Sequence, residues 1–229
     1  MNSSRSARSA IPVLLLVVLS LASGAAAWLS SRPSSSATGP EGVALLNVPD
    51  LASASSTARG RPIDGITCQR SAHEVINYHI HAHVAVYVNG QARRLPAGIG
   101  LTTPFLVQRS SAGTFLDVGI YDCLYWLHTH VADGIVHVEA PHPQRFTLGQ
   151  LFDIWRQPLG PNQVGPARGP VVVFENGRRL VGNPRSTPIE AHADIQLDVG
   201  TPVVAFQPFP FNVTGACGQG TNGCSAAKS

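Results

Sequence analysis

The chain has 229 residues, 44% of them apolar, with a formal net charge of +3 at pH 7 and four cysteines. That length supports one well-buried domain with tails. So mild a charge, with no dense basic patch interleaved with aromatics, argues against a nucleic-acid footprint, and nucleic acid is not expected as a partner.

The N-terminus reads as an export signal. Arg5 and Arg8 form a positive start, Ile11 to Ala22 an apolar stretch, and Ala25-Ala26-Ala27 a small-residue cleavage site, so residues 1–27 are expected to be a signal peptide. The alternative is an uncleaved anchor over residues 11–29, which is long enough to span a bilayer and would then be the chain's membrane contact. Removing residues 1–27 takes away two arginines and no acidic residue, which lowers the charge from +3 to +1. The expected location is therefore periplasmic or secreted, where cysteines oxidise. Cys217 and Cys224 bracket a Gly-rich segment and pair readily with each other, which leaves Cys68 to Cys123; three connectivities remain open. A thiolate-ligand role for Cys123 is the alternative, but strand parity turns it away from the histidines that follow.

Residues 28–66 are rich in Ser, Ala, Gly and Pro with no sustained period, and are expected to be a flexible linker. Residues 67–206 should form a single domain, and residues 207–229 a Cys-containing tail. Within the domain, Asn77 to Val88 alternates strictly. His79, His81, His83, Ala85 and Tyr87 share one face, while Ile80, Ala82, Val84, Val86 and Val88 share the other, which is the core face. Asn89-Gly90 turns the chain into a second strand, Gln91 to Leu95. Residues 97–124 hold short segments broken by Pro104, Gly113 and Gly119.

Tyr125 to Glu139 carries the chemistry. An Asp133-Gly134 type I′ turn would oppose His130 to His137 and His128 to Glu139; a longer loop would oppose His128 to His137 instead. In either register His128, His130, His137 and Glu139 share a face, and opposed Cβ atoms lie roughly 4.5–5.5 Å apart, close enough for imidazoles to share an ion. A lone strand histidine is more often an ordinary surface residue. Here five of nine histidines sit in two His-x-His runs, which favours a metal site. The candidate ligands are His79, His81, His83, His128, His130, His137 and Glu139. Same-face neighbours on a strand stand roughly 6.7 Å apart, so one ion takes at most two of the first three.

After Pro141 and Pro143, Thr147 and Gln150 form a capping box, with Phe146 as staple to Leu151; Leu148, Leu151, Phe152 and Trp155 make the apolar stripe of the main helix. Val171 to Phe174, an Asn176-Gly177 turn, and Asp194 to Val199 supply the last strands. The expected class is α+β, mostly antiparallel, with one main helix. The succession hairpin, helix, hairpin and final strand, with the segment from Val171 to Gly200, resembles the ubiquitin-like sulfur carriers of the β-grasp fold. The resemblance implies a β-grasp-like domain with the His-bearing hairpin inserted before the helix. It does not extend to activity, because the Gly-Gly tail of those carriers is missing here.

Imidazole and carboxylate donors suit Cu(II) or Zn(II). Met1 is the one methionine, so thioether ligation is not available to the mature domain. The pattern is that of an exported metal-binding or delivery protein whose partner is the metal ion. The alternatives are a metalloenzyme with three His ligands, a metal-bound water and Glu139 as base, and a domain with a purely structural metal.

Overall fold

A computed structural model describes residues 43–110 and 113–211. All of these belong to one unit, Ser36–Ser229. The class is α+β: many strands and one α-helix, with the longest sheet at its centre. Seven strands form that sheet: β1 (Tyr78–Val88), β2 (Gln91–Arg93), β3 (Leu127–His128), β4 (Ile135–Ala140), β5 (Val171–Glu175), β6 (Arg178–Leu180) and β7 (Asp194–Val199). The spatial order is β6-β5-β7-β1-β4-β3, with β2 also paired to β1. Every pairing in the sheet is antiparallel except β7 with β1.

Local sequence explains the two outer hairpins. Asn89-Gly90 joins β1 to β2 and Asn176-Gly177 joins β5 to β6, and all four residues have positive φ, as a type I′ turn requires. The helix α1 (Leu148–Trp155) begins as expected. The Thr147 side chain accepts from the Gln150 backbone N–H, while the Gln150 side chain accepts from the Thr147 N–H. It ends at Arg156, which adopts the left-handed conformation at φ 60°.

The alternation of β1 decides which way the sheet faces. Ala82, Val84 and Val86 join Leu127, Val136, Val138, Ile195 and Leu197 in one core with Leu148, Leu151, Phe152 and Trp155 of the helix. Burial at this density, worth about 1.5–3 kcal/mol per large apolar side chain, fixes the sheet's orientation, because a one-residue slip would turn the apolar set outward. The other face carries the polar set: His79, His81 and His83 of β1, His137 and Glu139 of β4, and Asp194, Gln196 and Asp198 of β7. The C-terminal segment runs back along this face of β7. Val204 N–H donates to Asp198, Gln207 N–H to Gln196, and Phe209 N–H to Asp194, at 2.6–2.9 Å. Three buried polar side chains are thereby paired with backbone, which removes the penalty of burying them bare.

Three expectations change. Residues 43–66, expected as part of a flexible linker, pack on the domain where they are described. Val43, Leu51, Ala58 and Ile66 are buried, and Leu51 and Ala58 donate backbone hydrogen bonds to the carbonyls of Arg94 and Ile154. Apolar residues too sparse to show a period still bury when backbone bonds hold them in place. The packed region likewise runs past residue 206, to Phe209 and Phe211. Residues 105–110 and 113–121, expected only as broken segments, pair as an antiparallel hairpin.

Cys68 and Cys123 form a disulfide across 55 residues, so Cys123 is not a thiolate ligand. Cys217 and Cys224 lie outside the described residues, as do the signal-peptide and anchor readings of residues 1–29. Among the described residues no helix is long and apolar enough to cross a membrane.

Candidate metal centre

The site is a row across three strands. β1 pairs with β4 so that His81 lies opposite His137 and His79 opposite Glu139. β3 pairs with β4 so that His128 lies opposite His137. Three imidazoles from three neighbouring strands therefore stand side by side, with His79 and Glu139 one step along. His130 reaches the same place from the loop after β3.

The register is the one a longer loop predicts. Asp133-Gly134 does not make a two-residue turn. The Asp133 side chain accepts from the Ile135 N–H at 2.9 Å, Gly134 alone of the pair has positive φ, and residues 129–134 form the loop. A side chain that hydrogen-bonds two residues ahead competes with the I′ geometry and wins here. The expected pairs His130 with His137 and His128 with Glu139 are corrected to His128 with His137. The imidazoles still converge.

Two overlapping sets of ligand atoms result. His128, His130, His137 and Glu139 form one; His79, His81 and His137 form the other. Within each set the atoms lie within 4.8 Å of one another. The Nε2 atoms of His128 and His130 are 3.1 Å apart, and those of His79 and His81 are 2.9 Å apart. Two nitrogens bound tetrahedrally at about 2.0–2.1 Å from one Zn(II) would be separated by roughly 3.3 Å, so both spacings suit a shared ion. Glu139 Oε1 is 3.2 Å from His79 Nε2 and 3.9 Å from both His128 Nε2 and His137 Nδ1. The carboxylate thus faces both sets.

His128 is the best oriented of these. Its Nδ1 lies 2.9 Å from the Tyr125 carbonyl, an acceptor only, so Nδ1 carries the proton and donates. Nε2 is left with its lone pair turned toward His130 and Glu139. This is how a ligating histidine is held, with the far nitrogen tied to a carbonyl. Tyr125 was not visible as a contributor in the sequence, because it acts through its backbone.

Burial sets the electrostatics. His128 is fully buried; His81, His130 and His137 are nearly so. Removal from water, reinforced by neighbouring imidazoles, holds His128 and His137 well below the ordinary imidazole range; at His128 the bond to Tyr125 opposes this. Burial, with His81 and His79 nearby, pushes His130 down to about 4. Neutral imidazole is the metal-binding form, so the site is ready to ligate at neutral pH. His130 Nδ1 is buried with no partner among the described residues.

His83 stands apart. It shares the face by parity, but its Nδ1 is 2.9 Å from Asp194 Oδ1 and its ring stacks on Phe209 at 4.1 Å. It belongs to neither set. The cue for Asp194 was present in the alternation Asp194-Ile195-Gln196-Leu197-Asp198, which places three polar residues on the histidine face.

Family models, curated proteins and solved structures yield no match to this chain. What fold and site define together is an α+β domain with a buried histidine and glutamate cluster positioned to hold a metal ion.

Proposed function

We propose that this chain is an exported histidine-rich protein that binds Cu(II) or Zn(II) and acts in metal binding or delivery. The observation that carries the reading is His128. Its proton is committed to the Tyr125 carbonyl, and its unprotonated Nε2 hydrogen-bonds to His130 Nε2 at 3.1 Å in a buried cluster that also holds His137 and Glu139. Nitrogen donors with one carboxylate and no thiolate match the borderline ions Cu(II) and Zn(II). Their first-choice ligands are His128, His130, His137 and Glu139.

Export is supported by the charged, apolar and small-residue order of residues 1–27 and by the Cys68–Cys123 disulfide, which fits an oxidising compartment. A β-grasp-like reading is supported by the strand order, in which the first and last strands of the sheet pair in parallel at its centre, β1 also pairing with its hairpin partner β2 and β7 with β5 of the second hairpin. That fold carries many functions, so the reading rests on the site. The domain is read as residues 67–206 together with flanking residues on both sides that pack on it, Leu51 and Ala58 before it and Phe209 and Phe211 after it, preceded by a cleaved signal.

The test is metal analysis of protein purified without added metals, followed by calorimetric titration with Cu(II) and Zn(II). Tight binding that is lost in His128→Ala supports the reading. No binding above that of the His128→Ala variant would refute it.

A further inference from the structure

The two ligand sets differ in exposure. In the inner set, His128, His137 and Glu139 have side chains 0%, 6% and 13% exposed. In the other set His79 is 31% exposed, the most open side chain of the two sets. His81 is buried between His79 and His137, with ring centroids 4.8 and 4.2 Å away. His79 is therefore the solvent-facing member of the cluster; His130 at 9%, His81 at 6% and His137 at 5% are buried, and His128 at 0% lies deepest. His137 belongs to both sets. Glu139, 3.2 Å from His79 and 3.9 Å from His128, spans them as well.

Simultaneous occupation of both sets is opposed by charge. Two divalent ions would share one carboxylate and one imidazole in a dry site, where like charges repel far more strongly than in water. The same overlap suits one ion moving between them. It can exchange one nitrogen donor for another without ever losing all its protein ligands, and the carboxylate can accompany it. Each exchange leaves the oxidation state unchanged and needs no co-reactant.

We propose that His79 and His81 form a loading station at the rim, where a divalent ion is first captured before it passes through His137 and Glu139 to the inner set. The inference rests on the metal-binding reading and adds a route to it. A station absent from the final site speeds capture and release alike, because the forward and reverse paths are the same, and it leaves the equilibrium constant alone.

The experiment is stopped-flow mixing of metal-free protein with Co(II), read by the growth of its visible absorption, with dissociation followed by chelator competition. The variants are His79→Gln and His81→Gln, which keep bulk and polarity but ligate poorly. His79→Gln lies at the rim, where substitution is tolerated, and guards against a folding defect at His81. We expect one Co(II) per wild-type chain. Association and dissociation should both slow by about tenfold or more in His79→Gln, with Kd unchanged within about twofold. A weaker Kd with unchanged association would make His79 a ligand of the final site and overturn the proposal. Two Co(II) per wild-type chain would also overturn it, while leaving the metal-binding reading intact. No Co(II) binding at all would defeat both.

Discussion

Acid should destabilise the metal-free protein well before ordinary carboxylates titrate. His130 is held neutral by burial, with its pKa lowered from 6.5 to about 4. In the unfolded chain it protonates near its ordinary value, so between about pH 6.5 and 4 the unfolded state binds more protons than the folded one. The sign follows. The contribution is fully present above pH 6.5 and is lost as pH falls through that window. The gap of about 2.5 pH units, at about 1.4 kcal/mol each, comes to roughly 3.5 kcal/mol from His130. His128 and His137 are shifted the same way and add to it. Against a typical domain stability of about 5–15 kcal/mol, that is a large fraction. The assay is urea denaturation of metal-free protein at pH 7.5, 6.5, 5.5 and 4.5, read by tryptophan fluorescence. His130→Gln removes one titrating group and should flatten the profile relative to wild type. A wild-type profile flat across this range, or one equally steep in His130→Gln, would refute the reasoning.

Three further outcomes are expected. Titration calorimetry should rank His128→Ala, His130→Ala and His137→Ala well above His83→Ala and His192→Ala in lost metal affinity, because His83 is engaged with Asp194 and Phe209. Replacing both Cys68 and Cys123 by Ala should cost about 4 kcal/mol by the chain-entropy argument for a loop of this length, measured as the shift in denaturation free energy, and native unreduced protein should show no reactive thiol at either position. Gly100→Ala should weaken both stability and metal binding. Gly100 has φ +79°, and a Cβ there would stand 2.9 Å from His128 Cβ and clash with the Leu127 carbonyl, pushing β3 out of the row. Such backbone strain costs about 1–3 kcal/mol and is visible as a lower melting temperature.

Much of this arrangement was legible in the residues. The strict alternation from Asn77 to Val88 assigns His79 and His81 to one face and the core to the other, since strand parity leaves no freedom. The Thr147 and Gln150 capping box marks the helix start because the side chains themselves make the bonds. The Asn-Gly pairs mark two hairpins because few other residues tolerate positive φ twice in succession. The Asp133-Gly134 turn misled for a related reason: Asp has a second option, bonding Ile135 N–H through its side chain, and only tertiary context selects it. His83 could not be separated from His79 and His81 by pattern, since its partner Asp194 lies 111 residues away and meets it through a parallel pairing. The packing of residues 43–66 and of the segment from Val204 to Phe209 depends on single backbone bonds to distant side chains and carbonyls, which leave no periodic trace in sequence.

Anomalous diffraction from crystals soaked or grown with Zn(II), recorded on both sides of the zinc absorption edge, tests the central claim most directly. The account predicts one strong peak about 2.0–2.1 Å from the Nε2 atoms of both His128 and His130, with His137 and Glu139 completing the shell. A zinc peak only at surface histidines such as His192, with none beside His128 in metal-replete crystals, would contradict it.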